Sequence, residues 1–210
     1  MDEQIILIFQ FIVFIFSVMI HEISHGAVAL RLGDPTAKNA GRLTLNPIKH
    51  IDLFGSILLP LLLVTIKSPF LFGWAKPVPY NPMNLRDPKR GSGLIAAAGP
   101  VSNLLVAAFF GIIYRMIDAS GTTTPGAITL AGFAASIVAV NVALALFNLI
   151  PIPPLDGSGI LFSILPERFS GVQHVLSRYG FYILLFLMFT GGFNFITPIA
   201  QALFSVFVGS

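Results

Sequence analysis

Apolar residues fall in long runs along this chain, and polar residues are confined to short stretches between them. The first run, Ile5 to Leu30, is broken only near its end, by His-Glu-Ile-Ser-His-Gly at 21–26. About 20 helical residues cross a hydrocarbon core about 30 Å thick, so this run predicts a transmembrane helix that carries ionisable groups. Gly93 to Ile117 and Ala127 to Ile150 are also long enough to span, and they predict a helical hairpin joined by a polar turn. Phe181 to Val208 predicts either one spanning helix broken at Gly191 and Gly192 or a pair of shorter ones. Leu53 to Ile66 is apolar over only fourteen residues and contains Gly55 and Pro60. A run that short is more often re-entrant than spanning, so a segment that dips in and returns is expected. Arg42 to Leu45 and Trp74 to Tyr80 are β-prone and lie beside prolines, which suits extended strands better than helix. The expected fold is all-α and polytopic, a bundle of about four to six transmembrane helices with a small membrane-associated β-region. A single membrane-embedded domain over residues 1–210 is expected, since no internal repeat or linker interrupts the pattern.

Composition supports lipid as the solvent: 55% of the residues are hydrophobic and 10% charged, against about 25% charged in an ordinary soluble domain. Asp2 and Glu3 precede the first run where a signal peptide would carry basic residues, and no small-residue cleavage site follows, so this helix is expected to be retained. Lys and Arg cluster at Arg31, Lys38, Arg42 and Lys49 and again at Lys67, Lys76, Lys89 and Arg90, and they are missing before Arg31 and between Asp118 and Gly126. The positive-inside rule then puts the N-terminus outside and both basic stretches in the cytoplasm. The net charge of +3 forms no clustered stripe, which excludes nucleic acid as a partner. With no cysteine, any metal must be held by histidine and carboxylate.

His21 and His25 stand at i and i+4, which stacks both imidazoles on one helix face, close enough to share one ion. Glu22, beside the first of them, can reach a metal-bound water. This is the HExxH zinc pattern. An ionised side chain at mid-helix in a membrane costs about 2.5–3.5 kcal/mol on insertion scales, a cost that metal binding would offset and that two histidines merely bonded to neighbouring helices would not explain. A catalytic zinc takes three protein ligands and keeps a fourth position open. Asp34, Asp52, Asp87, Asp118 and Glu167 lie in polar connections, whereas Asp156 sits in the apolar setting Asn-Leu-Ile-Pro-Ile-Pro-Pro-Leu-Asp-Gly and stands out as the third ligand. Depth agrees. His21 lies sixteen residues after Ile5, about 24 Å along a helix rising 1.5 Å per residue, and the run ending at Ile150 exits on that same cytoplasmic side. His50 and His174 neighbour basic or polar residues, where a solvent-facing interfacial histidine is expected. Gly99 and Ser102 in Gly-Pro-Val-Ser-Asn read as helix-packing positions, with Asn103 as an interhelical tie.

His-Glu-Ile-Ser-His-Gly together with Phe-Asn-Leu-Ile-Pro-Ile-Pro-Pro-Leu-Asp-Gly, separated by Gly-Pro-Val-Ser-Asn, resembles the site-2 protease family of intramembrane zinc metalloproteases, peptidase family M50. The match extends over nearly the whole chain and looks like the compact branch without PDZ or CBS domains. The resemblance implies a metalloendopeptidase that hydrolyses peptide bonds in or near transmembrane segments of membrane proteins, with one catalytic zinc ion. It implies His21, His25 and Asp156 as metal ligands, Glu22 as the catalytic glutamate, and Asn148 as the asparagine that helps stabilise the reaction intermediate. Pro151, Pro153 and Pro154 stand where the family motif often has Asn-Pro close before Asp-Gly. The β-prone segments resemble the family's membrane-associated β-region, whose edge could hold substrate by strand addition. The rival readings are a proton- or metal-coupled transporter and an inactive zinc-binding relative acting as a membrane chaperone. The transporter reading finds no inverted repeat, and the inactive reading has to account for Glu22.

Overall fold

A computed structural model describes residues 3–50, 52–58, 61–62, 65 and 76–209. Six main helices carry the fold among them: α1 (Glu3–Arg31), α2 (Pro88–Ala119), α3 (Pro125–Asn148), α4 (Asp156–Ile164), α5 (Ser170–Thr190) and α6 (Ile196–Val208). Their boundaries follow local chemistry. Asp87 and Thr124 cap α2 and α3 by accepting hydrogen bonds from Arg90 N and Ala127 N, and a proline occupies the first turn of each helix, where no N–H is needed. Gly191, at φ 71°, ends α5 in the left-handed conformation that glycine adopts without penalty. Phe181 to Val208 therefore folds as two helices, and the first of them already begins at Ser170.

α2 is the central element and packs against α1, α3, α4 and α6. Ala107 of α2, Val138 and Val142 of α3 and Val208 of α6 form one buried cluster, extended by Phe110, Leu203 and Phe204. Gly111 lets α6 approach until a Cβ there would lie 2.7 Å from Phe207 O. The outer faces are as apolar as the interior. Ile5, Ile8, Phe11 and Phe14 of α1 and Leu105, Phe109, Ile112 and Met116 of α2 are all exposed. Four helices, taking α5 from Glu167, are long and apolar enough to cross a membrane. For these faces lipid is the matching solvent, and the protein is a multi-pass membrane protein.

The expected β-region is not found among the described residues. Arg42–Leu45 runs through bends, and residues 76–80 are extended but pair with no strand. The cause is where the donors go. Lys76 N bonds to His50 O, Val78 N to the Glu22 side chain and Asn81 N to that of Asp34, while Pro77 and Pro79 have no N–H. With its donors spent on loop and side-chain acceptors the segment builds no ladder. Residues 74–75 lie outside the described residues. So do residues 59–60, 63–64 and 66 of the segment expected to dip into the membrane, of which Leu53–Leu58 forms a π-helical turn with Phe54 N and Gly55 N bonded to Asp52 Oδ1.

After α3 the chain turns sharply through residues 149–155, with Ile152 N bonded to Ile150 O and Leu155 N to Ile152 O, and delivers Asp156 as the first residue of α4. Gly157 makes that turn possible. A Cβ there would overlap the carbonyl oxygen of Leu149 and lie 2.5 Å from that of Ile150, and backbone cannot swing aside as a side chain can. Gly157→Ala should accordingly lower the thermal midpoint in detergent, at a cost of about 1–3 kcal/mol or more. Gly132→Ala, with open space around its added Cβ, should hold its midpoint. Equal midpoints for the two variants would refute this account of the turn.

Candidate metal centre

His21 and His25 lie one turn apart on α1, their ring centroids 4.7 Å apart and their planes at 86°. Asp156 reaches them from the start of α4, its Oδ2 2.9 Å from His21 Nε2 and 3.4 Å from His25 Nε2. One ligand atom from each residue falls within 4.8 Å of the others. The side chains are 7%, 11% and 20% exposed respectively, so water does little to screen the group.

The hydrogen bonds behind the rings assign a hydrogen to each Nδ1. His25 Nδ1 lies 2.6 Å from Ile95 O, and a carbonyl only accepts, so Nδ1 carries a hydrogen and the neutral ring offers a lone pair at Nε2. His21 Nδ1 lies 2.6 Å from Asn103 Oδ1. That amide is oriented by its own donors: Asn103 Nδ2 bonds to Asn141 Oδ1 at 2.9 Å and to Ser17 O at 3.4 Å. Asn141 Nδ2 in turn bonds to Ser17 Oγ and Ile137 O, both at 2.9 Å. Asn103 Oδ1 is thus the acceptor, and the neutral His21 ring likewise offers a lone pair at Nε2. With both rings neutral, the two Nε2 atoms face Asp156 Oδ2 as lone pairs, an arrangement that a shared cation would satisfy. Asp156 Oδ2 is indeed buried without any hydrogen-bond partner. Two imidazoles with one carboxylate form a donor set of catalytic zinc, and this group could hold such an ion. Hydrogen bonds on the far ring nitrogens are how proteins orient and strengthen metal-binding histidines.

α2 supplies this support without providing a ligand. A Cβ at Gly99 would overlap His21 Nε2 and Cε1 and sit 2.6 Å from His25 Cε1, so only glycine leaves room for both rings. Asn103 has a larger part than the interhelical tie expected from Gly-Pro-Val-Ser-Asn, because it holds His21 directly. Asn141 and Ser17 were not singled out by sequence. The available signal was a polar side chain in an apolar span.

Glu22, adjacent to the cluster, is half-buried, and its Oε2 accepts a hydrogen bond from Val78 N at 2.8 Å. Asn148 sits at the end of α3 and donates from Nδ2 to Leu144 O at 3.0 Å; no hydrogen bond joins it to the three-residue group. His174 is exposed on α5, as expected. His50 is not solvent-facing: it is 4% exposed, with Nε2 donating to Thr44 O, because the loop folds over it through bonds from Lys76 N to His50 O and from the Arg42 guanidinium to Lys49 O. It does not join the cluster.

Residues 113–189 match the model of peptidase family M50, a stretch that contains Asn148 and Asp156. Over 192 residues the chain is 38% identical to YwhC of Bacillus subtilis (strain 168), provisionally named a zinc metalloprotease; the alignment covers 90% of this chain and 81% of that protein. Rip2 of Mycolicibacterium smegmatis (strain ATCC 700084 / mc(2)155), provisionally named in the same way, is 29% identical over 179 residues, covering 85% of this chain and 65% of its own. No solved structure matches the chain.

Asn103→Ala removes the acceptor that fixes the His21 ring. Zinc affinity, measured by competition with a chelator, should weaken about 10- to 100-fold, whereas Asn148→Ala should leave it unchanged. An unaltered zinc affinity in Asn103→Ala would mean that the ring is held by other means.

Proposed function

The chain belongs to peptidase family M50 and is an intramembrane zinc metalloprotease, and from that premise we propose that His21, His25 and Asp156 hold its zinc ion while Glu22 is its general base. The observation that carries the ligand assignment is the convergence of His21 Nε2, His25 Nε2 and the buried Asp156 Oδ2 on one point. Zinc, when bound in such a site, polarises a carbonyl and lowers the pKa of a coordinated water from 15.7 toward about 7. Glu22 takes the proton of the attacking water and returns it to the leaving amine. Ile95 O and Asn103 keep both imidazoles aimed during the reaction. We assign Asn148 to the carbonyl oxygen of the substrate: one of its two amide hydrogens is committed to Leu144 O, and the other is available to donate.

The family acts on membrane proteins within a bilayer, and the proposed substrate is a transmembrane segment that has locally unwound. Carbonyls of an intact helix are engaged and screened, so the scissile bond must present extended backbone. The proposed domain is single and covers residues 1–210. The proposed orientation places the N-terminus outside and the site toward the cytoplasm, resting on the Lys and Arg that flank the site end of α1 and the start of α2. Family membership does not favour a transporter or an inactive relative.

Glu22→Gln keeps side-chain size and removes the proton acceptor. Zinc content should stay at the wild-type level, while cleavage of a transmembrane peptide in reconstituted membranes should fall by at least about 10²- to 10⁴-fold. His21→Ala, His25→Ala and Asp156→Ala should instead lose zinc and activity together. Glu22→Gln cleaving at the wild-type rate would remove Glu22 from the chemistry.

Orientation has its own test. In intact cells, cysteines placed at Ser120 to Pro125 should react with an impermeant label, and those at Lys38 and Lys89 should react only after the membrane is opened. External labelling at Lys89 would reverse the placement of the second basic stretch.

A further inference from the structure

Residues 76–81, Lys-Pro-Val-Pro-Tyr-Asn, form an extended strap along the last turns of α1. Three of its N–H groups are committed: Lys76 N to His50 O at 2.9 Å, Val78 N to Glu22 Oε2 at 2.8 Å and Asn81 N to Asp34 Oδ2 at 2.6 Å. The Val78 side chain is 8% exposed and packs over Gly26, where an added Cβ would meet Val78 Cγ1 at 2.9 Å.

Asp34, just beyond the end of α1, is fully buried and has no part in the zinc chemistry. Its Oδ1 accepts from Thr36 N, Thr36 Oγ1 and Asn84 Nδ2, so the two oxygens together grip the strap at Asn81 and the turn after it at Asn84. Burial pushes the Asp34 carboxyl up, but hydrogen bonds from the Thr36 and Asn84 side chains and from the backbones of Asn81 and Thr36 hold it down to about 2. The anchor is therefore ionised throughout the working range of a protein.

A general base must sit within about 2.6–3.2 Å of the proton it takes, and an error of about 1 Å in placement costs up to about 10²-fold in rate. Glutamate has a flexible stem, and only the Val78 N–H is seen to hold the Glu22 carboxylate. We propose that Asp34 is a positioning residue for proteolysis: it pins the strap so that Val78 N–H holds one oxygen of Glu22 and leaves the other to the water. This rests on the reading of Glu22 as base.

Two substitutions break the link at different points. Val78→Pro removes the N–H while keeping the path extended, since the residue before Pro79 is already confined to β or polyproline backbone. Asp34→Asn keeps size, but its amide oxygen is drawn to the three donors at Oδ1, which turns the NH2 against Asn81 N–H and releases the strap. Each should lower kcat about 10- to 100-fold, with KM and zinc content unchanged. The double variant should be no slower than the slower single one, because both cut the same link. Should Asp34→Asn fail to accumulate, Asn84→Ala, which removes one of the donors to Asp34, takes its place with a smaller loss that is likewise non-additive with Val78→Pro.

Wild-type kcat in Val78→Pro would overturn the proposal, and so would losses that multiply in the double variant. Loss of zinc in Val78→Pro would also overturn it, moving the strap's role to metal retention. Glu22→Gln, measured alongside, keeps the two readings apart. If it is inactive while Val78→Pro is at full rate, the strap inference alone fails; if it is fully active, the assignment of the base fails first.

Discussion

Two imidazole nitrogens and a carboxylate oxygen meet inside an apolar bundle, and a single shared cation would satisfy all three. In water such a cluster would relax by solvation or by turning a ring. Here neither route is open, because the rings are tied from behind and the carboxylate is fixed at a helix start. The energy of binding an ion here would therefore also be energy of folding, as in other sites whose ligands have no alternative partners. α1 and α4 are distant in sequence, and this three-residue group brings them together.

α2 determines whether that joining succeeds. One of its faces gives Ile95 O to His25, empty space at Gly99 to both rings and Asn103 to His21. On the side toward α4, Gly159 approaches Ala96 so closely that a Cβ would lie 2.8 Å from the alanine methyl. One helix thus sets the position of both halves of the site. Ser17, Asn103 and Asn141 extend this control to α3 through amide hydrogen bonds worth more in lipid than in water, since no solvent competes for them.

Much of this was legible in the sequence. His21, His25 and Asp156 stood out because ionisable groups in apolar runs are costly, and three of the four spanning helices follow from length and hydropathy, whereas the fourth starts at Glu167, well before the run expected from Phe181. The supporting shell was harder to read. Asn103 was visible as a polar residue, but its partner was not, because the contact with His21 crosses 82 positions of chain. His50 misled for a related reason: basic neighbours imply solvent, yet the loop closes over the ring. The β-prone stretches misled because propensity records an extended backbone and not who receives its hydrogen bonds. Residues 76–80 are extended, but their donors go to a histidine carbonyl and a carboxylate.

The alternation of proline in the strap has a consequence for self-association. An extended segment beside a proteolytic site is in general a hazard, because a row of free donors and acceptors is a template for another copy of itself. In Lys-Pro-Val-Pro-Tyr the positions that turn toward the protein keep N–H groups at Lys76 and Val78, and the alternate positions, Pro77 and Pro79, have none. Successive backbone groups point to opposite sides of an extended chain, so the outer side shows acceptors at both prolines and no matching donor. Two such straps laid edge to edge would face oxygen with oxygen. The strap can stay extended next to the site without becoming a seed for fibrous stacking.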